Sequence, residues 1–95
     1  MTPLNRYIIE RGIPGIGGLK HADYCGISAK SNAALAQLAP KVQWIESYVA
    51  GDRTFCVYLA TDEGMVRKHA EISGFPADRI IEVNRIIDPT TADAA

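Results

Sequence analysis

Val42-Gln43-Trp44-Ile45-Glu46-Ser47-Tyr48-Val49, then Ala50-Gly51-Asp52-Arg53, then Thr54-Phe55-Cys56-Val57-Tyr58-Leu59-Ala60 is the stretch whose reading fixes the fold class. β-branched and aromatic residues fill two runs, and turn residues separate them. The pattern reads as two strands joined by a short hairpin, and a connection that short makes the strands antiparallel neighbours.

The elements on either side follow from local signals. Downstream, Thr61 or Asp62 caps a helix that runs to about Ser73. Gly74 suits its left-handed end and Pro76 blocks continuation. Ile80–Ile87 then reads as a fourth strand, with isoleucines on both faces and hence buried on both. Upstream, Pro40 ends a helix spanning about His21–Leu38. Tyr24, Ile27, Ser31, Ala34, Leu35 and Leu38 recur in it at helical spacing and form one buried stripe. Lys20 stands where a capping Ser or Thr is expected. Gly12–Gly18 holds four glycines and Pro14 and reads as a loop, and Asn5–Arg11 is the first strand. The order strand–helix–strand–strand–helix–strand predicts an α+β, ferredoxin-like sandwich. Its four-stranded antiparallel sheet carries two helices on one face. Residues 1–95 form one domain, with 89–95 expected to be a disordered tail.

Composition narrows the partners. The chain has 95 residues, is 47% hydrophobic and balances ten Lys and Arg against eleven Asp and Glu, for a formal charge of −1. Its basic residues are scattered, so no stripe tracks a phosphate backbone and nucleic acid is not an expected partner. No apolar run is long enough to span a membrane. Met1-Thr2-Pro3-Leu4-Asn5-Arg6 lacks the character of a signal peptide. Cys25 and Cys56 read as thiols of a reducing compartment, which predicts a soluble, cytoplasmic protein.

With both helices on one face, the other face of the sheet has no cover. Alternation along the third strand puts Phe55, Val57 and Leu59 on one side and Thr54, Cys56, Tyr58 and Ala60 on the other. The purely apolar set is expected to meet the helices. The open face would then carry Trp44, Glu46, Tyr48, Cys56 and Tyr58. An aromatic patch of that kind marks either a homodimer of face-to-face sheets or a cavity for a small molecule.

Among reactive side chains, His69 shares a helix side with Met65, Val66, Ile72 and Ser73. It reads as a core histidine with one hydrogen bond, to Ser47 or a backbone carbonyl, or as a metal ligand or proton carrier. His21, near Asp23, reads as a surface imidazole able to bind nickel or copper weakly. Glu10 and Glu46 lie on strands, where a cross-strand arginine, Arg11, Arg53 or Arg85, is the simplest partner. No CxxC, HExxH or His–X–His occurs, so a closed zinc site is not expected. Gly15-Ile16-Gly17-Gly18 lacks the spacing and the parallel context of a nucleotide loop. No acid–base pair accompanies Cys56, so the chain reads as a binding protein before an enzyme.

Tyr7-Ile8-Ile9-Glu10-Arg11, Pro14-Gly15, Ser31-Asn32, the hairpin, and above all His69-Ala70 with Gly74-Phe75-Pro76-Ala77-Asp78-Arg79-Ile80 together resemble a family of small bacterial nickel-binding proteins. That family was once known only as a domain of unknown function. The resemblance covers roughly residues 5–91. It implies a ferredoxin-like homodimer that binds nickel near the dimer surface, a role in sequestration, and no established enzymatic activity. Of the positions matching the pattern, Glu10, Glu46 and His69 could serve a divalent metal, with Cys56 as a softer donor. The competing expectation is a dimeric α+β barrel that binds or transforms a small molecule under the open sheet face, lined by Trp44, Tyr48 and Tyr58.

Overall fold

The computed structural model describes residues 3–93; Met1, Thr2 and the final Ala94 and Ala95 of the expected tail lie outside the described residues. The elements run β1 (Asn5–Gly12), α1 (His21–Leu38), β2 (Val42–Ala50), β3 (Arg53–Ala60), α2 (Glu63–Ser73) and β4 (Arg79–Glu82). Short 3-10 turns occur at Ile16–Gly18 and Pro89–Asp93, the second within the expected tail. The strands form one antiparallel sheet in the order β2-β3-β1-β4, the ferredoxin-like arrangement.

Local chemistry accounts for the boundaries. The two-residue turn Gly51-Asp52 joins paired Ala50 and Arg53, and Gly51 takes the positive φ of 60° that such a tight hairpin requires. Asp62 caps α2 by accepting the Met65 N–H at 2.9 Å. At the start of α1, the Asp23 carboxylate accepts the Lys20 N–H at 3.1 Å. A lysine side chain has no acceptor to return the bond, so this helix has half of a capping box.

The core comprises Tyr7 and Ile9 from β1, Cys56, Tyr58 and Ala60 from β3, Leu38, Val42 and Val66. This reverses the expected face of β3. Thr54, Cys56, Tyr58 and Ala60 are buried under the helices, while Phe55, Val57 and Leu59 lie half-buried on the uncovered side. Both faces of β3 are apolar, so alternation alone cannot say which is inside. The small Ala60 and Thr54 leave room for helices, and Val66 and His69 of α2 sit wholly buried on that side.

β2 departs from simple alternation as well. Its register shifts between Trp44 and Glu46, so Trp44 pairs with Tyr58 and Ser47 with Cys56 on the helix side. Glu46 and Tyr48 pair with Val57 and Phe55 on the open side. A bulge adds one residue and flips every later side chain, which separates Trp44 from Glu46 and Tyr48.

β4 is shorter than the sequence predicts. Its last ladder bond runs from Val83 N–H to the Arg6 carbonyl at 2.8 Å, close to where β1 begins. Beyond it Ile86 and Ile87 are exposed, at 64% and 71%, so this segment is not buried on both faces.

The glycine-rich loop is pinned to the hairpin. Ile13 N–H donates to the Asp52 carbonyl at 2.8 Å and Gly15 N–H to the Asp52 carboxylate at 3.0 Å. A Cβ at Gly17 would stand 2.5 Å from the Gly51 carbonyl oxygen, whereas one at Gly18 would meet nothing. Gly17→Ala should therefore lower stability by about 1–3 kcal/mol through backbone displacement, with Gly18→Ala close to neutral. Urea unfolding midpoints of the two variants check this, and equal midpoints would contradict the close approach.

Candidate functional site

α1 does not close completely on the sheet. Between α1, the sheet and the Phe75-Pro76 segment lies a cavity of about 340 Å³. Tyr24, Ile27, Ser28 and Ser31 of α1 form one wall. Trp44, Ser47 and Val49 of β2 and Thr54, Cys56 and Tyr58 of β3 form the floor. Ile13 and Ile16 close one end, where the Tyr24 hydroxyl donates to the Ile16 carbonyl at 2.6 Å.

Arg11 enters this space because it continues the inward phase of Tyr7 and Ile9 along β1. It is 2% exposed, and Nη1 donates to the Pro76 carbonyl at 2.6 Å. Nη2 is buried and has no partner among the described residues. The guanidinium lies 5.8 Å from the centre of the Phe75 ring. No Asp or Glu lines the cavity. A buried charge without a counter-charge is costly, by several kcal/mol per ion.

His69 is wholly buried behind the same wall. Its Nε2 lies 3.1 Å from the Ser31 hydroxyl, while Nδ1 has no partner among the described residues. Its partner is thus Ser31 and not Ser47, whose hydroxyl accepts the Trp44 Nε1–H at 2.9 Å. The imidazole tilts against Tyr58, with ring centres 4.9 Å apart. Burial, reinforced by the Arg11 positive charge, holds the His69 pKa down at about 4. Burial also raises the Tyr58 phenol above its ordinary value. Both side chains are neutral at pH 7, which leaves Arg11 as the charge facing the cavity.

The residues expected on an open aromatic face are divided by the sheet. Trp44, Cys56 and Tyr58 line the cavity on the helix side, with the Cys56 thiol 3.6 Å from the Thr54 hydroxyl. Of the five, Glu46 and Tyr48 stand on the uncovered face, where the Tyr48 hydroxyl donates to Glu46 and the bond raises the Tyr48 pKa. The cavity therefore lies under the helices and not under the open face. Sequence reading missed Arg11, Thr54, Phe75 and the Ser31 contact. The available signal was an arginine in phase with Tyr7 and Ile9.

The proposed metal donors are also divided. Glu10 lies on the uncovered face, 3.3 Å from Arg53, and Glu46 lies there beside Tyr48. His69 is behind the sheet. Glu10 and Glu46 are themselves two strands apart, about 10 Å in the pairing direction. Among the described residues, no three His, Cys, Asp or Glu side chains converge to hold a metal. Within one chain these donors do not fit a single nickel site.

The sign of the His69 effect on stability is definite. The unfolded imidazole takes up a proton near pH 6.5 and the folded one only near pH 4. Its contribution is fully present above pH 6.5, is lost as pH falls toward 4, and does not change further below that. The slope approaches about 1.4 kcal/mol per pH unit at most. Urea unfolding between pH 7 and pH 4.5 should show a steeper loss for the native chain than for His69→Gln. Parallel curves would mean that the imidazole titrates normally in the fold.

Compared by sequence, no curated protein matches the chain. Among solved structures, that of SCO4226 from Streptomyces coelicolor A3(2) superposes with a TM-score of 0.70 at 18% identity, covering 86% of this chain and 99% of that one. At that identity the likeness speaks for the fold. Residues 7–83 match the family model described as nickel responsive protein SCO4226-like. This match spans the sheet, both helices and the whole cavity wall, and the chain belongs to the SCO4226-like family of nickel-responsive proteins.

Proposed function

We propose that this chain is a cytoplasmic, homodimeric nickel-binding protein that sequesters the metal and catalyses no reaction. The observation that carries the nickel reading is the family match over residues 7–83. The uncovered sheet face supports the dimer. Ile8 pairs with Val57 and Ile81 across the strands, and Phe55 and Leu59 extend the row. Tyr48 and Ile81 on the same face are 54% and 40% exposed. A second copy would cover this row with an identical one, and a chain this short gains from such added burial. Cysteines that are free, one exposed and one buried, suit a reducing compartment. Among the described residues no helix is long and apolar enough to cross a membrane.

In this reading nickel is held between copies. Glu10 and Glu46 project from the facing sheets, and a second chain is what brings further donors to them. His69 is the alternative donor, through its unpartnered Nδ1, on the other side of the sheet.

Sedimentation and calorimetry on tag-free protein test both parts. The native chain should sediment as a dimer, and Val57→Asp should shift it to monomer; a native monomer at micromolar concentration would sink the dimer. Nickel binding should weaken about tenfold or more in Glu10→Gln/Glu46→Gln. Loss in His69→Ala instead would move the metal to the helix side of the sheet. Absence of nickel binding by the native chain would overturn the reading.

A further inference from the structure

The cavity has a chemistry that nickel binding does not use. Its walls are mainly apolar, built from Ile13, Ile16, Ile27, Trp44 and Val49, and one guanidinium faces them without an acidic partner. Buried arginines ordinarily meet carboxylates or phosphates through their paired N–H groups. In Arg11 one terminal nitrogen is committed to the Pro76 carbonyl, and the other is buried close to the Tyr58 phenol with no acidic partner. Hydroxyls of Ser31, Ser47 and Thr54 stand around the same space as further neutral donors. The volume, about 340 Å³, falls at the small end of the range for ligand pockets, roughly 300–1,000 Å³.

We infer that this cavity binds a small monocarboxylate with an apolar, aromatic or aliphatic body, its carboxylate seated on the Arg11 guanidinium. The charge balance selects that class. Among the described residues Arg11 is the one cation lining the cavity, and a single positive charge matches a monoanion and leaves a phosphate dianion uncompensated. The apolar walls match a hydrocarbon body and exclude small hydrophilic acids. Desolvation inside the cavity makes the single ion pair selective for the acid over its neutral amide, because the amide leaves the guanidinium without its counter-charge. This site is on the opposite side of the sheet from Glu10 and Glu46, so it is independent of nickel held between copies.

Trp44 is the chain's single tryptophan and lies in the cavity floor, so its fluorescence reports occupancy directly. The titrants are phenylacetate, octanoate, phenylacetamide and inorganic phosphate, at pH 7 and fixed ionic strength. Phenylacetate or octanoate should give a saturable change in Trp44 emission. Phenylacetamide and phosphate should bind at least about tenfold more weakly. Arg11→Gln should lose the preference for acid over amide. Ile27→Phe, which fills the cavity and leaves Arg11 in place, should lose binding of both and keeps the test decisive if the arginine variant fails to fold. No saturable change with either carboxylate, equal affinity for acid and amide, or undiminished binding in Ile27→Phe would each overturn the proposal.

Discussion

The seating of Val66 and His69 of α2 against Ile9 and Tyr58 fixes which face of the sheet is inside. Val66, His69 and Ile9 have no measurable exposure, and Tyr58 is 2% exposed. Because strand side chains alternate, that single contact sets the direction of every other residue in β1 and β3. Tyr7 and Arg11 follow Ile9 inward, and Thr54, Cys56 and Ala60 follow Tyr58. Ile8, Phe55, Val57 and Leu59 are thereby sent to the uncovered side. One packing decision thus produces both the charged cavity and the bare apolar sheet.

Those two surfaces have opposite physical character. The bare face is a half-buried apolar row edged by Glu10, Arg53 and Glu46, and a surface of that kind is stabilised by covering it. The cavity is a partly open, apolar recess with one unneutralised cation. In the interior that charge interacts more strongly with an anion than it would in water, and its own desolvation is correspondingly costly. His69 relieves none of this, because the same burial and the same guanidinium keep it neutral. Burial is the larger part of what lowers the His69 pKa, and a second positive charge beside Arg11 adds to it.

Membership in a nickel-responsive family and the geometry of a single chain address different questions. The family match covers the fold and the cavity wall alike, but the sheet lies between His69 and the two carboxylates. A nickel site that draws on this donor set therefore depends on assembly, whereas the cavity is complete in one chain. The two surfaces can serve two ligands without sharing a residue.

The sequence by itself determined the element order, a cap on α2 at Thr61 or Asp62, its end at Gly74 and a hairpin turn within Ala50–Arg53. Each is written in residues close in sequence or directly paired across strands, where local sterics and hydrogen bonding suffice. The inward face of β3 was not legible, because Phe55, Val57 and Leu59 look as fit for a core as Cys56 and Tyr58. Nor was the shift after Trp44, since a bulge leaves no composition mark in Val42–Val49 and still moves Glu46 and Tyr48 to the other side. The end of β4 at Glu82 depended on where β1 begins, some seventy residues earlier. Arg11, Trp44, Ser31 and Phe75 come from four separate segments, and only tertiary packing brings them around one cavity. Local chemistry specifies elements; which of two comparable apolar faces is buried is decided by the helices that pack on it.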